Sequence, residues 1–239
     1  MTTPHASWAQ QYDLAYHRSF GEFYDALTEA TVDYITEIQE APARIVDFGA
    51  GTGRLALPLA RAGYSVVAVE PCAEMLAVLN SKAEKERLAI KTVHGRMQDE
   101  FQSPPFDLAL CVFTVLPYLL DEAALNASFQ TAAAALRPGG HLLLDIPSRH
   151  VFRSYTRTFA DFVREVRLIP ETEVLFRYEE AIRVLDGSHW LNYADSFVIR
   201  YWEPSQVFHA LGNAGFRVEA DLSEKFAGSG SDYYIAFRA

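Results

Sequence analysis

The chain has 239 residues, half of them apolar and 22% charged, with 31 acids against 21 bases for a formal net charge of −10. A chain of this length buries roughly 70–75% of its unfolded surface, and an acidic surface repels phosphate backbones, which argues against nucleic acid as a partner. The two cysteines, Cys72 and Cys111, read as reduced thiols and not as a disulfide framework.

Residues 1–10 lack the charged start and apolar core of a signal peptide. The longest apolar stretch, 108–120, is too short to span a bilayer. The expectation is a soluble, cytoplasmic protein with no membrane partner.

Apolar residues at helical spacing (Phe23, Leu27, Ala30, Ile35, Ile38) predict a helix over 22–39, ended by Ala41-Pro42. A strand over 44–48 follows, then a helix from about 54 to 62 stopped by Gly63, a strand over 65–70 and a helix over 73–86. Strands are expected over 88–94 and 106–113, and a helix over 121–136. Arg137-Pro138-Gly139-Gly140 reads as a hard turn into a strand over 141–146. Strands alternating with helices at this pitch imply an α/β, doubly wound, mostly parallel sheet.

The rhythm then changes. Segments 162–169, 173–185 and 189–201 are β-rich, with Asp186-Gly187 as a hairpin turn. They predict an antiparallel insertion over 151–202. A last helix over 203–213 and strands over 216–221 and 233–237 close a single domain spanning 1–239. The aromatic stripe Trp190, Tyr193, Phe197, Tyr201 and Trp202 reads as core or dimer contact.

The chemistry is concentrated in Asp47-Phe48-Gly49-Ala50-Gly51-Thr52-Gly53-Arg54, followed by Glu70 at the end of the next apolar run. Glycines let the backbone turn sharply and come close to a ligand. Glu70 lies seventeen residues past Gly53 (70 − 53), at a strand tip where a carboxylate can accept hydrogen bonds from both ribose hydroxyls. A dinucleotide fingerprint would need glycine at position 54, where this chain has Arg54. The pattern predicts a nucleoside crevice at the C-terminal edge of a parallel sheet.

These residues resemble the S-adenosylmethionine loop of class I methyltransferases. Tyr12-Asp13-Leu14-Ala15-Tyr16, Phe106-Asp107-Leu108-Ala109 and Leu136-Arg137-Pro138-Gly139-Gly140 extend the likeness to small-molecule enzymes of the glycine- and sugar-N-methyltransferase type. The resemblance covers nearly the whole chain. It implies a seven-stranded sheet ending in an antiparallel hairpin, with an insertion between strands five and six that covers the substrate or builds a homodimer. It also implies an N-terminal helical lid over 1–40.

By that resemblance the cofactor is S-adenosyl-L-methionine, with Asp47 organising its methionine end and Glu70 its ribose. Gly49, Ala50, Gly51, Gly53, Arg54, Pro71 and Met75 then line the same crevice. The family places an acid and its neighbour against the adenine; here Arg96 and Met97 fall at that place, so backbone groups or Asp99 take the role. Cys111 and Phe113 follow the fourth strand on the cofactor side. Tyr16 reads as a lid residue, because an aromatic face attracts a sulfonium.

Tyr118 is the candidate catalytic residue, able to hydrogen-bond a substrate or steer a lone pair, or else to pack over the following helix. Tyr12, His17, His150 and Arg153 complete the candidate acceptor contacts. Asp145 reads as a residue that orients a loop. The histidines show no metal-ligand spacing, and no metal is expected. The expected reaction is methyl transfer to nitrogen or oxygen of a small molecule. An NAD(P)-dependent oxidoreductase and a non-catalytic, cofactor-binding dimeric scaffold stand as alternatives.

Overall fold

Buried parallel strands need apolar runs, because both faces of the sheet are covered. The runs Arg44–Phe48 (β1), Ser65–Glu70 (β2) and Phe106–Cys111 (β4) meet that need and are buried along almost their whole length. A computed structural model describes residues 3–99 and 105–239. Lys91–His94 (β3), Leu136–Pro147 (β5), Phe216–Asp221 (β10) and Ser231–Arg238 (β11) complete the main sheet. Its order is β10-β11-β5-β4-β1-β2-β3, with β11 antiparallel to β5 and β10. The order reverses between β1 and β4, which opens a crevice at their C-terminal ends.

Helices Tyr12–Phe20 (α1), Glu22–Ile38 (α2), Ala56–Arg61 (α3), Ala73–Glu86 (α4), Glu122–Ala135 (α5) and Pro204–Asn213 (α6) flank the sheets. Asp121 caps α5 by accepting from the Ala124 N–H at 2.8 Å, as an N-cap carboxylate should. No described helix is long and apolar enough to cross a membrane.

The insertion is a second, antiparallel sheet of Tyr155–Thr158 (β6), Phe162–Pro170 (β7), Leu175–Asp186 (β8) and His189–Arg200 (β9). Asp186 pairs with His189 across the tight turn at Gly187, whose φ of +59° suits glycine. The sheet's inner face carries Phe162, Ile182 and Val184, which pack on Trp8 and Ala15. A second contact joins Ala9 to Cys72, Met75 and Val78. The N-terminal segment is therefore wedged between the insertion and α4 by two apolar clusters.

Three expectations change. Arg137-Pro138-Gly139-Gly140 is not a turn ahead of the strand. Leu136 already pairs with Phe106, and the segment is a bulge before His141 rejoins the ladder opposite Leu108. The expected strand over 88–94 begins only at Lys91, since α4 ends in a left-handed turn at Arg87. The N-terminal segment also forms a 3-10 turn over Ala6–Gln11 and the separate helix α1, which Gly21 divides from α2. Of the aromatic stripe, Tyr201 and Trp202 are core, and the Trp202 indole N–H donates to the carbonyls of Leu116 (3.1 Å) and Leu119 (3.0 Å).

Candidate cofactor and acceptor site

The glycine loop leaves β1 by folding over the end of β2. The N–H groups of Gly49 and Ala50 donate to the Val69 carbonyl at 2.8 and 3.2 Å. A Cβ on Gly49 would lie 2.6 Å from Val115 Cγ2, so glycine is required there by packing. Gly51 has φ +56°, and its N–H donates to Glu70 Oε2 at 3.0 Å. The Cys72 N–H donates to Glu70 Oε1 at 2.9 Å. Burial raises the Glu70 pKa, and these two N–H donors partly oppose that shift. The carboxylate at the β2 tip thus fixes the loop and keeps free lone pairs for hydroxyl donors.

Asp47 ends β1 beside this loop and is buried. Burial pushes its carboxyl up to about 7, Arg54 opposes the shift, and Glu70 adds to it. A backbone hydrogen bond from Ala56 also favours the ionised form, and burial still outweighs both.

Aromatic rings form the roof. Tyr12 and Tyr16 stack at 4.3 Å, and Phe113 lies 5.6 Å from Tyr16 and 5.5 Å from Tyr24. The Arg54 guanidinium sits 4.4 Å over Phe113. A cavity of about 40 Å³ is lined by Tyr12, Tyr24, Asp47, Gly51, Arg54 and Phe113, among others. Phe113 and Thr114 both have positive φ, and the Thr114 N–H donates to Asp145 at 3.2 Å, so Asp145 holds the loop after β4. Asp13 of α1 reaches down to the glycine loop. It accepts from Thr52 Oγ1 at 2.6 Å and pairs with Lys82, whose ammonium also donates to the Thr52 carbonyl at 3.0 Å.

Beyond the roof lies a polar cluster that sequence reasoning missed. Arg164 and Glu180 are 1% and 3% exposed on the inner face of the insertion. Arg164 Nε donates to Glu180 Oε1 at 2.6 Å, and its Nη1 donates to Ser19 Oγ at 3.2 Å. The Arg164 guanidinium also covers the Tyr16 ring at 4.6 Å. Buried His5 places Nδ1 3.6 Å from Glu180 Oε2, and its Nε2 is hydrogen-bonded to the Tyr118 hydroxyl at 2.7 Å. The signal for this pair was the alternation itself: Arg164 shares a face with Phe162 and Val166, and Glu180 shares one with Ile182.

The other expected residues divide. Met75 is buried against Ala9 and Cys72 beneath the N-terminal segment. Met97 and Cys111 are buried in the main core, where burial pushes the Cys111 thiol well up. The Pro71 carbonyl is hydrogen-bonded to His94 Nε2 at 2.9 Å. Arg96 is exposed, and its backbone N–H donates to Asp99 at 2.8 Å. His17 is exposed and faces Asp25 of α2 at 3.3 Å. His150 and Arg153 are exposed after β5, and the structure brings neither into the cluster around His5. Among the described residues no group of three or more His, Cys, Asp or Glu is arranged to hold a metal ion.

The donor set fits S-adenosylmethionine. Asp47 could take an ammonium, Glu70 has lone pairs suited to ribose hydroxyls, and the tyrosine ring faces suit a sulfonium. Residues 45–140 match the family model described as "Methyltransferase domain". A protein of Geobacillus sp. (strain WCH70), provisionally named a methyltransferase, is 30% identical over 159 residues, 61% of this chain. The match spans 64% of that protein's length. DesVI of Streptomyces venezuelae superposes with a TM-score of 0.81 at 20% identity, covering both chains fully. CalS10 of Micromonospora echinaspora, an amino pentose methyltransferase with S-adenosylmethionine bound, superposes with a TM-score of 0.77 at 22% identity, covering 95% of this chain and 96% of its own. These two structures show the shared fold. The glycine loop and both strand-tip acids lie within the matched residues 45–140, which are similar to a methyltransferase domain and sit on the fold shared with these structures.

Proposed function

We propose that the protein transfers a methyl group from S-adenosylmethionine to a nitrogen or oxygen of a small-molecule acceptor by in-line displacement. The observation that carries this reading is the pairing of Glu70 with the Gly51 loop beside buried Asp47, under a roof of tyrosines. When bound, the cofactor supplies an electrophilic methyl on a sulfonium. The chain's own work is to align the acceptor and keep the site dry. The acidic net charge favours a small acceptor over nucleic acid, and two buried free cysteines suit a reducing cytoplasm. The test is release of S-adenosylhomocysteine from S-adenosylmethionine with a panel of amines and phenols, preceded by mass spectrometry of co-purified ligands. Binding of S-adenosylmethionine without turnover of any acceptor would favour a non-catalytic scaffold.

Asp47 gives this reading a pH signature. With its pKa near 7, about half the carboxyls are protonated at neutral pH. An ammonium partner favours the ionised form, so binding should release protons and tighten as pH rises from about 6 to 8. Without ligand the sign is opposite: an acid raised by burial lowers stability as pH rises from the ordinary carboxylate range towards 7. Calorimetry in buffers of different ionisation heats measures the released proton. Proton uptake, or affinity that is flat across this range, would remove Asp47 from the ammonium contact.

The segment carrying Tyr12 and Tyr16 serves in this reading as a lid. Trp8 and Ala15 are fully buried, so deleting the segment would strip the core of the insertion. Asp13→Ala is the milder probe, because it frees only Thr52 and Lys82. The half-exposed ion pair contributes at most about 1 kcal/mol. The variant should keep its fold, exchange amide protons faster across residues 12–20, and bind S-adenosylhomocysteine several-fold more weakly. Unchanged exchange together with unchanged affinity would leave α1 a packing element.

A further inference from the structure

We propose that Glu180, His5 and Tyr118 form a proton relay that takes the proton of the methyl acceptor, with Arg164 as its positioning residue. This rests on the methyl-transfer reading above. The relay begins with the pair at the insertion's inner face. Burial raises the Glu180 carboxyl, but Arg164 and His5 outweigh it and hold Glu180 below the ordinary carboxylate range, so it is ionised. Arg164 occupies Oε1, which leaves Oε2 buried with no hydrogen-bond partner. The nearest candidate donor is His5 Nδ1, itself buried without a partner, 3.6 Å away. An ionised carboxylate can only accept, so the imidazole carries its proton on Nδ1. In the neutral ring Nε2 is then bare and accepts the Tyr118 O–H at 2.7 Å. The Tyr118 oxygen is left presenting lone pairs.

Placement supports function. Tyr118 follows β4 at the sheet's C-terminal edge, near enough to Glu70 and Tyr16 for both to act on its hydroxyl. The His5 backbone is held in the left-handed region at φ +67°, with its N–H donated to Asp195. Strain of that kind persists only where the surroundings over-determine it. The ionisable groups facing His5 are Glu180 from β8, Asp195 from β9, Tyr118 from the turn before α5, and Tyr12. The Glu70 charge reaches the imidazole from β2.

The step balances. The acceptor's N–H or O–H bond breaks and its proton goes to the Tyr118 oxygen, while the Tyr118 proton passes to His5 Nε2. The electron pair left on the acceptor bonds the incoming methyl, and the pair of the methyl–sulfur bond stays with sulfur. His5, now an imidazolium against Glu180, returns the proton through Tyr118 to solvent after the product leaves.

Two measurements on the full chain decide this. In 15N-histidine NMR of the ligand-free protein, His5 should show the Nδ1-protonated tautomer. An Nε2-protonated ring overturns the relay. With the fastest acceptor of the amine and phenol panel, His5→Asn and Tyr118→Phe should each lower kcat about 100-fold, with acceptor KM within about threefold. Tyr118→Phe leaves the Arg164–Glu180 pair intact and guards against a folding artefact. Wild-type kcat in Tyr118→Phe overturns the relay. A panel that yields no product with the native protein instead counts against the small-acceptor reading, and the NMR result still decides the tautomer.

Discussion

Replacing Gly51 with valine is expected to abolish S-adenosylmethionine binding in a protein that still folds. Gly51 has φ +56°, a region that a β-branched residue enters only with strain. A Cβ built there meets no protein atom within 4 Å, so the valine methyls project into the crevice and not into the core. The strained backbone would also pull its N–H away from Glu70. Strain of about 1–3 kcal/mol and a charge-assisted hydrogen bond of about 1.5–3 kcal/mol together correspond to a loss of more than about 100-fold in Kd. Gly49→Ala makes the contrast, because its methyl would meet Val115 at 2.6 Å and damage packing first. Calorimetry with a thermal melt separates the two variants. Binding by Gly51→Val within tenfold of the native protein would show that the loop does not approach the ligand.

Removing Arg164 should cost more stability than any surface charge. Its guanidinium is buried with the Glu180 carboxylate, and it also holds Ser19 and covers Tyr16. Arg164→Met leaves a carboxylate uncompensated in a dry interior, for which breaking a buried pair costs about 3–5 kcal/mol. In a chain of this size that is a fall in Tm of roughly 10 °C. The double variant Arg164→Met/Glu180→Leu should regain most of the loss, because the charge and its desolvation cost vanish together. Chemical denaturation of the single and double variants tests the coupling. A single variant within about 1 kcal/mol of the native protein would mean the pair is hydrated in solution.

The contrast between these positions shows how far the sequence reaches. Asp47, Gly51 and Glu70 belong to one strand–turn–helix–strand run, where spacing alone places them, because period and turn chemistry act over a few residues. The same locality made α4 legible to its end residues and revealed the Asp186-Gly187 hairpin. The Arg137–Gly140 bulge escaped for the opposite reason. Proline and glycine say that a ladder is interrupted, but pairing of Leu136 with Phe106 is a long-range contact that no local signal carries.

What the sequence determined by itself was the glycine-loop crevice with its two strand-tip acids, the doubly wound sheet and the existence of an antiparallel insertion, all products of short-range periodicity and backbone freedom. Only the tertiary structure decided the buried polar cluster beneath the insertion. His5 and Glu180 stand 175 residues apart (180 − 5) and meet because the N-terminal segment is wedged against the insertion by Trp8, Ala15 and Phe162. The alternation puts Arg164 and Glu180 on the apolar face of their strands, but it does not show that they meet. They are buried because each compensates the other's charge, and that compensation exists only once the two strands pair.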